Sequence, residues 1–284
     1  MGLLAVASAK GSPGVTTAAL LFAALWPRPS VLVECDPSGG DVALRMPAPD
    51  GEPLDSSPGL LNLVAAGRKS LYADLVDVHS EQIVGGLDVL TGMTTPEQAA
   101  GLGQWAQLGE LFSRLPGKDA VVDLGRIGAT TPQNAVLASA SAVALVVDAI
   151  PSSVIHLRER LARVSESLGG TVGPPIYVIV VAPPKRTRAV AEVRAAIDRS
   201  GTPVTAVRHL ADDPAGARFF LGQVSGSPSR TQLVRSAQPI VDELAARMVG
   251  TFLAPAPRAV PAGDGSLDDA QDDESAAPDA EAVS

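Results

Sequence analysis

A single cysteine, Cys35, stands in 284 residues. An intramolecular disulfide is therefore impossible, and a zinc site built on several thiolates is excluded. Histidine is nearly as scarce: His79, His156 and His209 are scattered, with no metal-ligand spacing. No apolar run reaches the ~18 residues that a membrane-spanning helix needs. No basic segment precedes the short apolar stretch at the N-terminus, which argues against a secretory signal. A cytoplasmic location is the default expectation.

What is present reads as a soluble globular chain, with 46% hydrophobic and 19% charged residues and a length that buries a substantial core. The formal net charge of −9 is unevenly spread. Residues 1–150 carry 8 basic and 15 acidic side chains, residues 151–254 carry 13 and 8, and residues 255–284 carry 1 and 8. The overall acidity thus conceals a basic C-terminal half. From residue 255 the chain reads PAPRAVPAGDGSLDDAQDDESAAPDAEAVS, with almost nothing to bury, so a disordered acidic tail is expected. Such a tail solubilises or binds a partner. No internal repeat and no earlier boundary is visible, so residues 1–254 are expected to form one domain.

Within 1–254, short apolar runs alternate with helical patterns. Leu3–Ala7, Ser30–Glu34, Leu87–Leu90, Ala120–Asp123, Ala142–Asp148 and Ile176–Ala182 read as buried strands. Thr16–Leu25, Pro96–Leu115, Pro132–Ser139, Ser152–Leu168, Thr187–Ser200 and Thr231–Phe252 read as helices. This alternation predicts an α/β fold, a mostly parallel central sheet with helices on both faces.

The segment AKGSPGVTTAALLFAALW, residues 9–26, starts like a phosphate-binding loop, G-x-x-x-x-G-K-[ST]. It then puts Val15 where the lysine belongs. Its place, after the first strand and before the first helix, is the one a phosphate loop requires. Backbone N–H groups at a helix N-terminus attract phosphate without any side chain. Gly11 and Gly14 let the backbone curl around an anion, and Thr16 stands where a hydroxyl would reach Mg2+. A Gly/Pro turn that holds no ligand is the other reading. A dinucleotide-binding loop, G-x-G-x-x-G, is set aside because Gly11-Ser12-Pro13-Gly14 lacks its first glycine pair.

Two acids end apolar strands, Asp36 after Ser30–Glu34 and Asp123 after Ala120–Val122. Ligands of open α/β sheets bind at such strand ends, and a carboxylate there can hold Mg2+ through its waters. Both could instead cap the following helices. Glu34 and Asp41 read as local caps or loop charges.

Lys10-Gly11-Ser12-Pro13-Gly14-Val15-Thr16-Thr17 resembles the deviant Walker A loop of the ParA/MinD ATPases, K-G-G-x-G-K-[ST]-[ST]. SVLVECDPSGGD resembles that family's second strand and switch segment, DAVVDLG its modified Walker B strand, and SASAVALVVDAIPSSV the strand and loop that follow. The resemblance covers roughly residues 1–250 and implies a P-loop NTPase architecture with ATP and Mg2+ as cofactors. It implies nucleotide binding by Lys10, Gly11, Ser12, Gly14, Val15, Thr16 and Thr17, and metal binding by Thr16 and Asp123. Lys10 and Asp36 take the catalytic positions. In that family the early lysine reaches across a nucleotide-sandwich homodimer to the partner's phosphates, whereas the later one, here Val15, serves its own subunit's nucleotide.

Departures from the pattern bear on catalysis. Val15 removes a fixed cation that would offset phosphate charge. Pro183 and Pro184 stand where the family often supplies an asparagine to the adenine ring. After Asp123 come Leu124, Gly125 and Arg126 rather than a Pro-rich turn; Arg126 either restores positive charge near the phosphates or stays on the surface. The resemblance also implies nonspecific DNA as a partner. Its candidates are Lys185, Arg186 and Arg188 in one loop and Arg158, Arg160 and Arg163 on one helix. A solvated basic face is the alternative, since no aromatic lies nearby to stack on bases. Membrane targeting by a terminal amphipathic helix is disfavoured, because Thr231–Phe252 reads as a domain-closing helix and the tail would be repelled by anionic lipid. Two functions stay open. One is an ATP-dependent dimerising switch for positioning or partitioning a protein cargo, with slow or no hydrolysis. The other is a noncatalytic pseudo-ATPase acting as a localisation or adaptor factor for pilus or secretion machinery.

Overall fold

The computed structural model describes residues 1–11, 13–55 and 59–251. Ser12 and the acidic tail expected from residue 255 lie outside the described residues. Strand β1 (Leu3–Ser8) runs through the middle of the sheet and every residue in it is buried, as a central parallel strand requires. Its side chains alternate: Leu3, Ala5 and Ala7 join one apolar cluster and Leu4 and Val6 the other. The remaining strands are β2 (Ser30–Glu34), β3 (Glu81–Gln82), β4 (Asp88–Leu90), β5 (Asp119–Arg126), β6 (Ala142–Asp148), β7 (Ile176–Ala182) and β8 (Ala206–Ala211). They pair in the order β3-β4-β2-β5-β1-β6-β7-β8, all parallel except the β3–β4 edge.

The helices are α1 (Val15–Ala24), α2 (Val42–Arg45), α3 (Leu60–Ala66), α4 (Asp74–His79), α5 (Pro96–Ala100), α6 (Trp105–Ser113), α7 (Asn134–Leu137), α8 (Pro151–Ser167), α9 (Ala189–Asp198), α10 (Pro214–Phe220) and α11 (Gln232–Thr251). Two core clusters separate them. Residues of α1, α10 and α11 pack with Leu4, Val6, Leu32 and Val121; residues of α3, α6, α8 and α9 pack with Leu3, Val33, Val122 and Val143. The expected α/β sheet with helices on both faces is therefore present. Helix α1 is apolar nearly all round, with Val15, Ala18 to Ala23 buried, because it is wedged between β1, β2 and β5 on one side and α11 on the other.

The sequence pattern and the structure differ in a few places. The helix expected over Pro96–Leu115 is two. A capping box between Thr95 and Gln98 starts α5, and Gly101 and Gly103 break the run before Trp105 restarts it. Strands β3 and β8 and helices α2, α3, α4 and α10 were not expected. At the far end of the sheet, buried Asp119 accepts hydrogen bonds from Gly2 N–H (2.8 Å), Trp26 Nε1–H (2.8 Å) and Arg28 Nε–H (2.9 Å). This closes the N-terminal strand ends and leaves the C-terminal ends of β1, β2 and β5 open for chemistry.

Candidate functional site

The loop between β1 and α1 is set by its glycines. Gly11 (φ 70°) and Gly14 (φ 85°, ψ 38°) both lie in the left-handed region, which a side chain would disfavour. Ser8, the last residue of β1, donates its hydroxyl to the Gly11 carbonyl at 3.3 Å. Gly14 sits at the helix N-cap and its carbonyl accepts from Ala18 N–H at 2.8 Å. No side chain caps α1 and no acid lies in its first turn. The N–H groups of Val15, Thr16 and Thr17 thus have no acceptor within the helix and face the positive end of its dipole. Lys10 is exposed and forms no hydrogen bond or ion pair among the described residues. Val15 is only 5% exposed and belongs to the core cluster on the α1 face.

Sheet register brings the acids to this loop. Val6, Asp123 and Glu34 are neighbours across β1, β5 and β2, so the two carboxylates share the α1 side of the sheet. Buried Asp123 accepts from Gly125 N–H at 2.8 Å, and the nearby Thr16 hydroxyl also favours its charged form. Burial still dominates and pushes its carboxyl up to about 7, with Glu34 and Asp36 adding repulsion. The structure thus joins Thr16 and Asp123, the pair expected to hold a metal. Among the described residues there is no group of three or more His, Cys, Asp or Glu that could hold an ion. One hydroxyl and one carboxylate match a Mg2+ whose other positions go to water and phosphate oxygens.

Glu34 proves to be a clamp, in line with a local capping role. Its carboxylate accepts from the N–H groups of Asp41 (2.8 Å), Val42 (3.0 Å) and Gly92 (3.1 Å), pinning the 36–41 segment to the end of β4. Its carboxyl is raised by burial. Half-buried Asp36 accepts from Ser38 N–H at 2.8 Å and lies against the backbone of Gly125. A Cβ at Gly125 would come within 2.0 Å of Asp36 Oδ2. Burial raises this carboxyl as well, while Arg126 pulls it down.

Gly11, Gly14 to Thr17, Asp36, Arg45 and Arg126 line a cleft of about 520 Å3. A second, more apolar cavity of about 420 Å3 shares Gly14 and Thr17 and continues past Val181, Pro183, Leu210 and Leu233. Asp213 holds its rim by accepting from Gly216 N–H (3.0 Å), Gln232 N–H (2.9 Å) and Leu233 N–H (3.2 Å), which caps α10 and α11 at once. Gln232 and Thr231 only hint at this in sequence, because Asp213 lies 19 residues upstream of Gln232. Arg45 and Ser8 carried no sequence signal either, since their place in the cleft depends on register and on α2. Of the basic residues considered for DNA, Arg158 and Arg186 line one groove between α8 and α9. Arg186 is engaged there by the Ala149 carbonyl and by Glu192 at 2.9 Å.

No protein-family model matches the chain, and no curated protein matches it significantly. Solved structures do. A ParA family ATPase from Chlorobium tepidum TLS superposes with a TM-score of 0.66 at 18% identity, over 86% of this chain and 98% of that one. The septum site-determining protein MinD from Pyrococcus horikoshii OT3, complexed with Mg-ADP, gives 0.63 at 16% identity, over 87% and 98%. A McdA variant from Cyanothece, in complex with ATP, gives 0.62 at 16%, over 88% and 96%. No helix among the described residues is long and apolar enough to cross a membrane. With its strand order, its glycine loop and its strand-end carboxylates, the chain has the fold of the ParA/MinD P-loop ATPases.

Proposed function

We propose that this chain is a ParA/MinD-type nucleotide-binding protein of the cytoplasm, a switch that forms a homodimer with bound ATP and hydrolyses it slowly or not at all. The observation that carries the reading is that Thr16, at the uncapped N-terminus of α1, acts on the buried strand-end carboxylate of Asp123. It sets a phosphate-type loop beside a carboxylate that would hold a metal. The N–H groups of residues 14–17 would cradle the phosphates, with Ser12 as a further contact, and Thr16 and Asp123 would hold Mg2+. When bound, Mg2+ would offset phosphate charge. The apolar cavity beyond Thr17 suits a nucleobase. Lys10, exposed and uncommitted, would serve a partner subunit, and Asp36 would orient water. DNA along the α8–α9 face and a protein cargo belong to the same reading.

One observation favours the second function, a noncatalytic adaptor. Val15 packs in the core, so the lysine position is occupied by an apolar side chain and not merely vacated. Both functions begin with binding. Calorimetry with ATP and Mg2+ is expected to give a Kd between micromolar and millimolar, about −8 to −4 kcal/mol, lost in Thr16→Ala. The switch adds that ATP drives dimerisation, which Lys10→Ala weakens more than it weakens binding. A folded sample silent at millimolar ATP would reject the site. Binding without dimerisation would leave only the adaptor.

A further inference from the structure

We propose that Arg126 supplies the phosphate-facing cation that the loop lacks at Val15. The inference rests on the nucleotide reading above and names the residue that makes it electrostatically workable. Strand β5 runs three residues beyond Asp123. Val6 pairs with Asp123 and Ser8 with Arg126, so three residues of β5 advance against two of β1. Such a bulge re-aims the side chain that follows it. The backbone there is fixed from two sides. Ile127 N–H donates to the Ser8 carbonyl at 2.9 Å. The buried Gln133 amide donates to the carbonyls of Leu124 (3.2 Å) and Arg126 (3.0 Å). Ser8 in turn holds Gly11, so the position of Arg126 is tied directly to the loop.

The side chain itself is uncommitted. Arg126 is exposed and lines the same cleft as Gly11 and Gly14 to Thr17, and its side chain forms no hydrogen bond or ion pair among the described residues. Four charged side chains line that cleft: Asp36, Asp41, Arg45 and Arg126. Arg45 is taken up by Asp41 in an ion pair. Lys10 is not part of the wall. That leaves Arg126 to offset Asp36, and without it a triphosphate would enter a cleft of net negative wall charge. A guanidinium presents a planar fork of donors that matches phosphate oxygens. It can do from the β5 side what an ammonium at position 15 would do from the helix.

The test uses the full chain and two probes, ATP and inorganic triphosphate, titrated by calorimetry into the native protein, Arg126→Gln, Arg126→Lys and the double variant Val15→Lys/Arg126→Gln. Arg126→Gln is expected to weaken both probes by about ten- to a hundredfold, the worth of a charge-assisted contact, at an unchanged melting temperature. Arg126→Lys should recover part of the loss, and the double variant should recover it from the other wall. Equal affinity of native protein and Arg126→Gln for both probes would overturn the assignment and leave the nucleotide site standing. So would a loss confined to ATP, since the cation would then not be serving phosphate. Native protein that binds neither probe would remove the nucleotide reading and this inference with it.

Discussion

Replacing Asp123 by Asn isolates the penalty of one fully buried carboxylate beside the cleft. Burial lifts the Asp123 carboxyl from 3.8 to about 7, against the opposing pull of the Thr16 and Gly125 donors. At about 1.36 kcal/mol per unit, a shift of roughly three units separates the protonated and ionised folded states by about 4 kcal/mol. The folded chain binds this proton more tightly than the unfolded chain does. Its contribution to stability is therefore complete below pH ~4, falls as the pH rises, and is gone above pH ~7. Glu34 and Asp36, also raised by burial, act in the same direction. Asparagine cannot ionise, and it keeps one acceptor for Thr16 or Gly125 at a cost of about 1 kcal/mol for the other bond. Urea melts of the empty protein between pH 5 and 8.5 should therefore show native stability declining toward neutrality, while Asp123→Asn stays flatter and crosses above it. Mg2+ with ATP should reverse the order, because the metal needs the carboxylate and displaces its proton. Native affinity for the magnesium nucleotide should accordingly rise with pH up to about 7. Parallel stability curves for the two proteins would refute the reasoning, since Asp123 would then titrate as it does in the unfolded chain.

The remaining predictions address the loop and its neighbour. Val15→Lys should tighten ATP binding by about ten- to a hundredfold and raise hydrolysis, measured by calorimetry and phosphate release. A lower melting temperature with no gain in affinity would show that position 15 belongs wholly to the core, and the switch would give way to the adaptor. Gly125→Ala combines a left-handed backbone (φ 58°) with a Cβ about on top of the Asp36 carboxylate and should cost about 1–3 kcal/mol in denaturant melts. An unchanged melt would mean that Asp36 can swing aside without loss.

The central strands were legible because a parallel strand buried on both faces must be apolar throughout, and β2, β6 and β7 begin and end where their apolar runs do. The edges were not. β3 is two polar residues, Glu81 and Gln82, and its pairing depends on β4 rather than on its own composition. β8 carries Arg208 and His209 in its middle, which hides its apolar alternation. Arg208 is tolerated there because Glu243 of α11 accepts from its Nε–H at 2.7 Å and its Nη2–H at 3.0 Å. Short helices are hard to read for different reasons: α2 is capped by Glu34 from another element, whereas α10 starts on its own N-cap, Asp213, ahead of a run of only seven residues. At the cleft, Gly11, Gly14 and Thr16 could be read as motif letters, since their spacing is local to one strand-loop-helix unit, and Asp123 could be read because it ends an apolar run of its own. The place of Arg126 could not, because it follows from a register shift between two strands more than a hundred residues apart.

That asymmetry bears on why a phosphate loop can lose its lysine and keep its shape. No hydrogen bond among the described residues ties the loop through a side chain at position 15. Its two ends are held by Ser8 in a fully buried strand and by a helix seven of whose ten residues are buried, and its curl comes from two glycines at positive φ. Backbone donors and a helix dipole therefore persist whatever residue follows Gly14, and they act on a bound phosphate in its ground state. Turnover asks for more, a cation aimed at charge that develops as the terminal phosphoryl group leaves. An arginine entering from β5 meets the ground-state requirement without duplicating the approach of a lysine along the axis of α1. On the proposed reading, binding and hydrolysis are thus separable properties of this cleft. Substitutions at the two positions should differ accordingly: Arg126→Gln should lower affinity, whereas Val15→Lys should raise both affinity and rate.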